Sequence, residues 1–107
     1  MELTDKIYIG ELVLTYGNLL TNKQLEAVKC YYLFDMSLSE IAENEYITRQ
    51  GAYDLVTKST NILYSNEEKL GFVKKKMDIN ALLGEITQET DCQKINQLIE
   101  KIKSILE

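Results

Sequence analysis

Apolar residues recur along this chain at intervals of three and four, the spacing that lines one face of an α-helix. Ile9, Leu12, Val13, Tyr16 and Leu19 or Leu20 form the first stripe. Its helix is expected to start at Thr4 as N-cap, with Asp5 in the first turn, and to stop near Gly17-Asn18. Leu25, Val28 and Tyr32 form the second stripe, opened by Thr21, which with Gln24 makes a capping box. Phe34-Asp35-Met36 breaks that pattern. Ser37 and Glu40 make another capping box, and Met36 with Ile41 suits a hydrophobic staple. The helix they open is short, ending near Glu43 to Glu45, with Leu38, Ile41 and Ala42 inward. Ile47 and Thr48 then precede a fourth helix, capped by Thr48, with Ala52, Leu55, Val56, Ser59, Ile62 and Leu63 on its inner face.

Beyond Tyr64 the pattern loosens. Ser65-Asn66-Glu67-Glu68 predicts a break and a restart, with Asn66 as cap. Leu70, Val73, Met77, Leu82, Leu83 and Ile86 continue an amphipathic pattern that Asp78-Ile79-Asn80 and Gly84 interrupt. A last helix is expected from Thr90, with Gln93 completing a capping box. Ile95, Leu98, Ile102 and Ile105 make its seam, with Ile99 and Leu106 beside it. Two heptads fall short of the roughly three to four that declare a coiled coil. The seam therefore packs either within its own subunit or against a second copy. The expected fold is all-α, a four-helix unit over residues 1–66 followed by a helical tail over 67–107 that is a candidate dimerisation element.

Composition narrows the function. Hydrophobic residues are 45% of the chain and Pro is absent, so a packed helical core is expected rather than disorder. No apolar run approaches the roughly 18 residues of a membrane span, and the N-terminus carries acids with no cleavage-like signal, so a cytoplasmic protein without membrane insertion is expected. Cys30 and Cys92 have no Cys or His nearby and read as reduced, buried or inert thiols rather than a disulfide or metal pair. His is absent, which removes the commonest general base and metal ligand, and there is no glycine-rich phosphate loop and no nucleophile motif. No catalytic residue, cofactor or metal is expected.

The segment from Ser37 to Lys58 has the layout of a helix-turn-helix, two short helices joined by a tight turn, the second able to enter a DNA major groove. Arg49 and Gln50 would reach base edges first, since Arg pairs well with guanine and Gln with adenine. Tyr53 and Thr57 follow on the same side, Lys58 would meet phosphate, and Thr48 would cap the helix and could touch phosphate. The bland alternative pairs Arg49 with Glu45 or Asp54 on an ordinary solvated surface. Net charge weighs against tight binding: it is −5, with three Lys against eight acids in residues 1–45. Phosphate contacts supply most non-specific affinity, and few cations are present to make them. Lys74-Lys75-Lys76 is the one cation cluster, a candidate for phosphate or anionic lipid and more ordinarily a solvated face. Tyr16, Tyr31 and Tyr32 read as core or interface packing.

The run from Tyr16 to Gln24, the run from Tyr31 to Ala42, and Thr48-Arg49-Gln50-Gly51-Ala52-Tyr53-Asp54 together resemble the YlxM family of small bacterial proteins, over roughly residues 5 to 72. That family is similar to region four of bacterial sigma factors, a helix-turn-helix that reads promoter DNA, and its genes tend to lie beside those of the signal recognition particle GTPase and its receptor. The resemblance implies a regulatory helix-turn-helix protein bound to double-stranded DNA and acting in or near that pathway. The alternative is a protein-interaction module that docks RNA polymerase or a signal recognition particle component. This chain departs from the pattern in three places. Tyr46 or Glu45 must take the turn position where such motifs often hold Gly, Gly51 stands where family members usually have Ala, and the run of Arg and Lys late in the fourth helix is reduced to Lys58.

Overall fold

The computed structural model describes residues 3–107, all of whose regular elements are helical: α1 (Leu3–Tyr16), a 3-10 turn (Gly17–Leu19), α2 (Asn22–Val28) running on into a π-helical turn (Lys29–Leu33), α3 (Leu38–Glu45), α4 (Arg49–Leu70), α5 (Phe72–Gln88) and α6 (Cys92–Leu106). The chain divides into two compact units, Met1–Leu70 and Gly71–Glu107.

In the first unit α4 is the central element, and α1, α2 and α3 all pack on it. The expected stripe of α1 is buried as Ile9, Leu12, Val13 and Tyr16, with Leu20 rather than Leu19 completing it. Each such side chain taken out of water contributes about 1.5–3 kcal/mol. α1 is already helical at Leu3, so Thr4 lies inside the helix and is not its cap; the role expected of the Asp5 side chain lies outside the described residues. The first helix ends at Tyr16, where Gly17 is buried against Leu25 and Val13 and a side chain would be crowded. The Thr21 hydroxyl accepts from the Gln24 N–H while Gln24 accepts from the Thr21 N–H, a complete capping box.

The end of α2 holds a feature the periodicity does not announce. A π turn over Lys29–Leu33 brings the Phe34 N–H onto the Lys29 carbonyl at 3.1 Å. Asp35 follows in the left-handed region (φ 54°) and is ion-paired with Lys6 of α1. The chain then reverses into α3. Ser37 and Glu40 form the expected reciprocal cap, each bond at 3.1 Å.

Further on, the structure departs from the pattern. The break expected at Ser65-Asn66 does not occur: α4 continues to Leu70, and Asn66 caps nothing. Within this stretch the Tyr16 hydroxyl donates to the Glu67 carboxylate at 2.5 Å, fastening the late turns of α4 to the end of α1. The helix ends instead at Leu70, and Gly71 follows with φ 66°, a left-handed conformation that costs a Cβ-bearing residue roughly 1–2 kcal/mol.

The second unit is a two-helix hairpin in which α5 and α6 pack on each other. α5 runs unbroken through Asp78-Ile79-Asn80 and Gly84. α6 begins one residue later than expected. Asp91, not Thr90, is its cap and accepts from the Gln93 N–H at 3.0 Å. The Glu89 carboxylate takes the N–H groups of both Thr90 and Asp91 at 3.1 Å, which leaves Thr90 in the connection.

Candidate nucleic-acid interface

The turn between α3 and α4 fixes how the fourth helix is presented. Tyr46 adopts the left-handed conformation (φ 56°, ψ 42°). Its N–H reaches the Glu43 carbonyl and the Ile47 N–H reaches the Ala42 carbonyl, at 3.4 and 3.0 Å. These are the two bonds of a Schellman ending, and Ile47 packs into the same apolar cluster that contains Ala42, as that motif requires. Tyr46 therefore occupies the position usually given to Gly, at a conformational cost of roughly 1–2 kcal/mol.

Thr48 then starts α4 as expected. Its hydroxyl accepts from the Gly51 N–H at 3.0 Å and its carbonyl accepts from the Ala52 N–H at 2.9 Å. The hydroxyl is thus occupied by capping, and any phosphate contact by Thr48 would compete with that bond. Ala52 and Val56 point into the cluster formed with Ala27 of α2 and Ile41 and Ala42 of α3. Burial of that face sets the rotation of α4 and turns the opposite side to solvent.

All six residues expected at the interface, Thr48, Arg49, Gln50, Tyr53, Thr57 and Lys58, are exposed. They do not form one patch. Gln50, Tyr53 and Thr57 follow three-four spacing and share one strip. Arg49 and Lys58 are nine residues apart, about half a turn out of phase at roughly 100° per residue, so they flank the strip on opposite sides. The arrangement suits a helix with a polar midline for base edges and one cation toward each groove wall.

Two further residues lie on the strip, Asp54 and Asn61, both exposed. Asn61 sits four residues beyond Thr57, a spacing that marks it in the sequence. Asp54 matters more. It accepts from the Gln50 side-chain amide at 3.0 Å, so Gln50, and not Arg49, has the local partner. An exposed pair of this kind contributes only about 0.2–0.5 kcal/mol and yields easily to a better acceptor. Among the described residues Arg49 and Lys58 form no ion pair. Their two charges are outnumbered in this segment by Glu40, Glu43, Glu45 and Asp54. The depression beside the strip is lined by α4 residues alone, including Asp54, Thr57, Lys58 and Asn61. It is an open furrow between side chains, not an enclosed small-molecule site.

The remaining candidates carry less. Lys74 is paired with Asp78 at 3.3 Å on an exposed surface. Tyr16 is buried, and Tyr31 and Tyr32 are half-buried and stacked edge to face at 5.0 Å, so all three pack as expected. Cys30 is half-buried, and burial, then Glu26 and Glu45, push its thiol up and keep it protonated. Cys92, in contrast, is exposed. Among the described residues no three His, Cys, Asp or Glu side chains converge as a metal site, and no helix is long and apolar enough to cross a membrane.

Over residues 3–105 the chain matches the family described as "Putative helix-turn-helix protein, YlxM / p13 like". The match runs through the hairpin as well as the first unit. Similar proteins include a UPF0122 protein of Fusobacterium nucleatum, 32% identical over 102 residues that cover 95% of this chain and 99% of the relative. Another, from Clostridium acetobutylicum, is 36% identical over 106 residues, 92% of this chain and 91% of the relative. A third, from Listeria welshimeri, is 42% identical over 92 residues, 86% and 82% of the two chains.

Proposed function

The chain belongs to this YlxM/p13-like helix-turn-helix family, and on that premise we propose that it is a non-enzymatic cytoplasmic regulator that lays the start of α4 in the major groove of double-stranded DNA. Gln50, Tyr53 and Thr57 face base edges, Arg49 and Lys58 meet the two groove walls, and Thr48 holds the helix end. The observation that carries the reading is the exposed strip itself: a capped helix after a Schellman turn, locked by burial of Ala52 and Val56, with an uncommitted guanidinium at its first position. The family resemblance points to the signal recognition particle pathway as the setting. Two cations release few counterions, so affinity is low, and neutralising either cation lowers the salt slope by about 0.9.

The test is binding of the chain to duplexes drawn from its own genomic neighbourhood, across a salt series. A good bidentate contact gives about 1–3 kcal/mol of discrimination, so Gln50→Ala with Tyr53→Ala abolishes sequence preference, whereas Arg49→Ala weakens binding to every duplex alike. Retained preference in the Gln50→Ala with Tyr53→Ala variant removes the groove-reading model.

A second reading is favoured by the acidity of the segment and by Asp54 in the middle of the strip. In it the same unit docks a protein, RNA polymerase or a signal recognition particle component, through Glu40, Glu43 and Glu45. Partner recovery unchanged by substitution of those three acids counts against it.

A further inference from the structure

Between Arg49 and Asn66 the single acid of α4 is Asp54. At roughly 100° per residue, Gln50, Asp54 and Asn61 point within about 40° of one another, opposite the buried Ala52, Val56, Ser59 and Leu63. The carboxylate therefore lies on the midline of the exposed face, between the flanks that carry Arg49 and Lys58. An acid on a flank would only repel phosphate. An acid on the midline is held toward base edges.

An ionised carboxylate accepts hydrogen bonds and donates none. The side-chain amide of Gln50 must therefore turn its nitrogen toward Asp54, as it does at 3.0 Å, and its oxygen away. One of the two amide N–H groups is then committed. Gln50 is left to offer its second N–H beside a carbonyl oxygen, a donor next to an acceptor. Adenine presents the complement in the major groove, with N7 accepting and the N6 amine donating, whereas guanine presents two acceptors, N7 and O6. An unrestrained glutamine can give both N–H groups to guanine. With one of them on Asp54 that arrangement is closed. The carboxylate itself also repels the two guanine acceptors and attracts the adenine amine. In open water the bond between Gln50 and Asp54 is weak, but between groove walls, where water is scarcer, the same bond strengthens.

We propose, resting on the groove-reading model, that Asp54 is a positioning residue that makes Gln50 a reader of adenine and turns it away from guanine. Competition binding at constant salt is measured on the duplex the full chain prefers and on duplexes changed one base pair at a time between A·T and G·C. Gln50→Ala identifies the base pair that Gln50 reads, as the one at which its discrimination disappears. There the wild type is expected to favour adenine over guanine about ten-fold, and Asp54→Asn to bring that ratio within about two-fold, because the freed amide can turn to either purine. Asp54→Asn also tightens binding to every duplex a few-fold, since a negative charge has left the surface. Asp54→Glu, which keeps the acceptor, restores most of the ratio. Glu43→Gln, which removes an exposed charge from α3, tightens binding without moving the ratio. Asp54 is exposed, so its variants keep wild-type helicity by circular dichroism. A ratio unchanged in Asp54→Asn overturns the proposal and leaves groove reading standing, as does a wild-type preference for guanine at the base pair Gln50 reads. A wild type with no preference at any position removes both.

Discussion

The two units use the same ingredient, amphipathic helices, to different ends. The unit ending at Leu70 buries Ile9, Leu12, Tyr16, Val28, Ile41, Ala52 and Leu63 almost completely, whereas the hairpin fully buries only Val73 and Leu98. Yet α6 has the more regular seam in sequence, with Ile95, Leu98, Ile102 and Ile105 in three-four spacing. Periodicity therefore tells which side of a helix is apolar. It does not tell how much of that side its neighbours cover, because coverage depends on how many elements converge. α4 receives three helices; within the hairpin, α5 and α6 each receive one.

Core truncation gives the largest test of this contrast. Leu12→Ala is expected to cost about 2–5 kcal/mol, because its neighbours cannot collapse into the space. Leu98→Ala should fall at or below the low end of that range, since half-exposed neighbours can relax around it. Urea unfolding of both variants measures the pair, and equal losses would mean the hairpin is packed as tightly as the first unit. A smaller effect comes from adding a methyl group. At Gly84, inside α5, a Cβ meets open space, so Gly84→Ala should stabilise by about 0.5–1 kcal/mol. At Gly51 it would lie 3.2 Å from the Thr48 hydroxyl, crowding the cap, so Gly51→Ala should gain less. Thermal melts that rank the two in the opposite order would show that the cap has room to yield.

The smallest effect concerns acid. The Glu89 carboxyl is held below its ordinary value of 4.5, first by the Asp91 N–H, then by the Thr90 N–H and Lys94. Its folded value is depressed, so the stabilisation it brings is complete above 4.5 and lost as pH falls through the lower folded value. Helicity of the wild type should decline slightly more than that of Glu89→Gln over that acid range. Superimposable acid titrations would leave the connection between α5 and α6 without this support.

What was legible in the sequence was what is decided locally. The boxes at Thr21 and Ser37 and the cap at Thr48 are matters of a few adjacent residues, and all occur where the residue types place them; of the two residues left open for the turn, Tyr46 and not Glu45 is the left-handed one. The buried stripes of α1 and α4 were legible for the same reason. What was not legible was settled at a distance or by competition. Ser65-Asn66 has the chemistry of a helix start, but the bond from Tyr16 to Glu67 joins residues 51 apart and helps α4 continue. Thr90 and Asp91 are both good caps, and Glu89 tips the choice by taking both their N–H groups. The π turn at Lys29–Leu33 leaves no periodic trace. At the candidate interface the exposed positions were legible from the spacing. The division of Arg49 and Lys58 onto opposite flanks follows from that same spacing once the helix is drawn, while the partnership of Gln50 with Asp54 needed side-chain coordinates.

One consequence follows from α4 being a single span of 22 residues, about 33 Å long. It is gripped near its start by Ala52 and Val56 and late in its course by Leu63 and the tie from Tyr16. A rod clamped at two separated points has little freedom to swivel, so the backbone beneath Gln50, Tyr53 and Thr57 is preorganised before any partner arrives. Docking then freezes only a handful of exposed side chains, at about 0.5–1.5 kcal/mol each. On the DNA reading proposed above, the shortage of positive charge is then what limits affinity, and adding charge, rather than stiffening the scaffold, is the way to raise it.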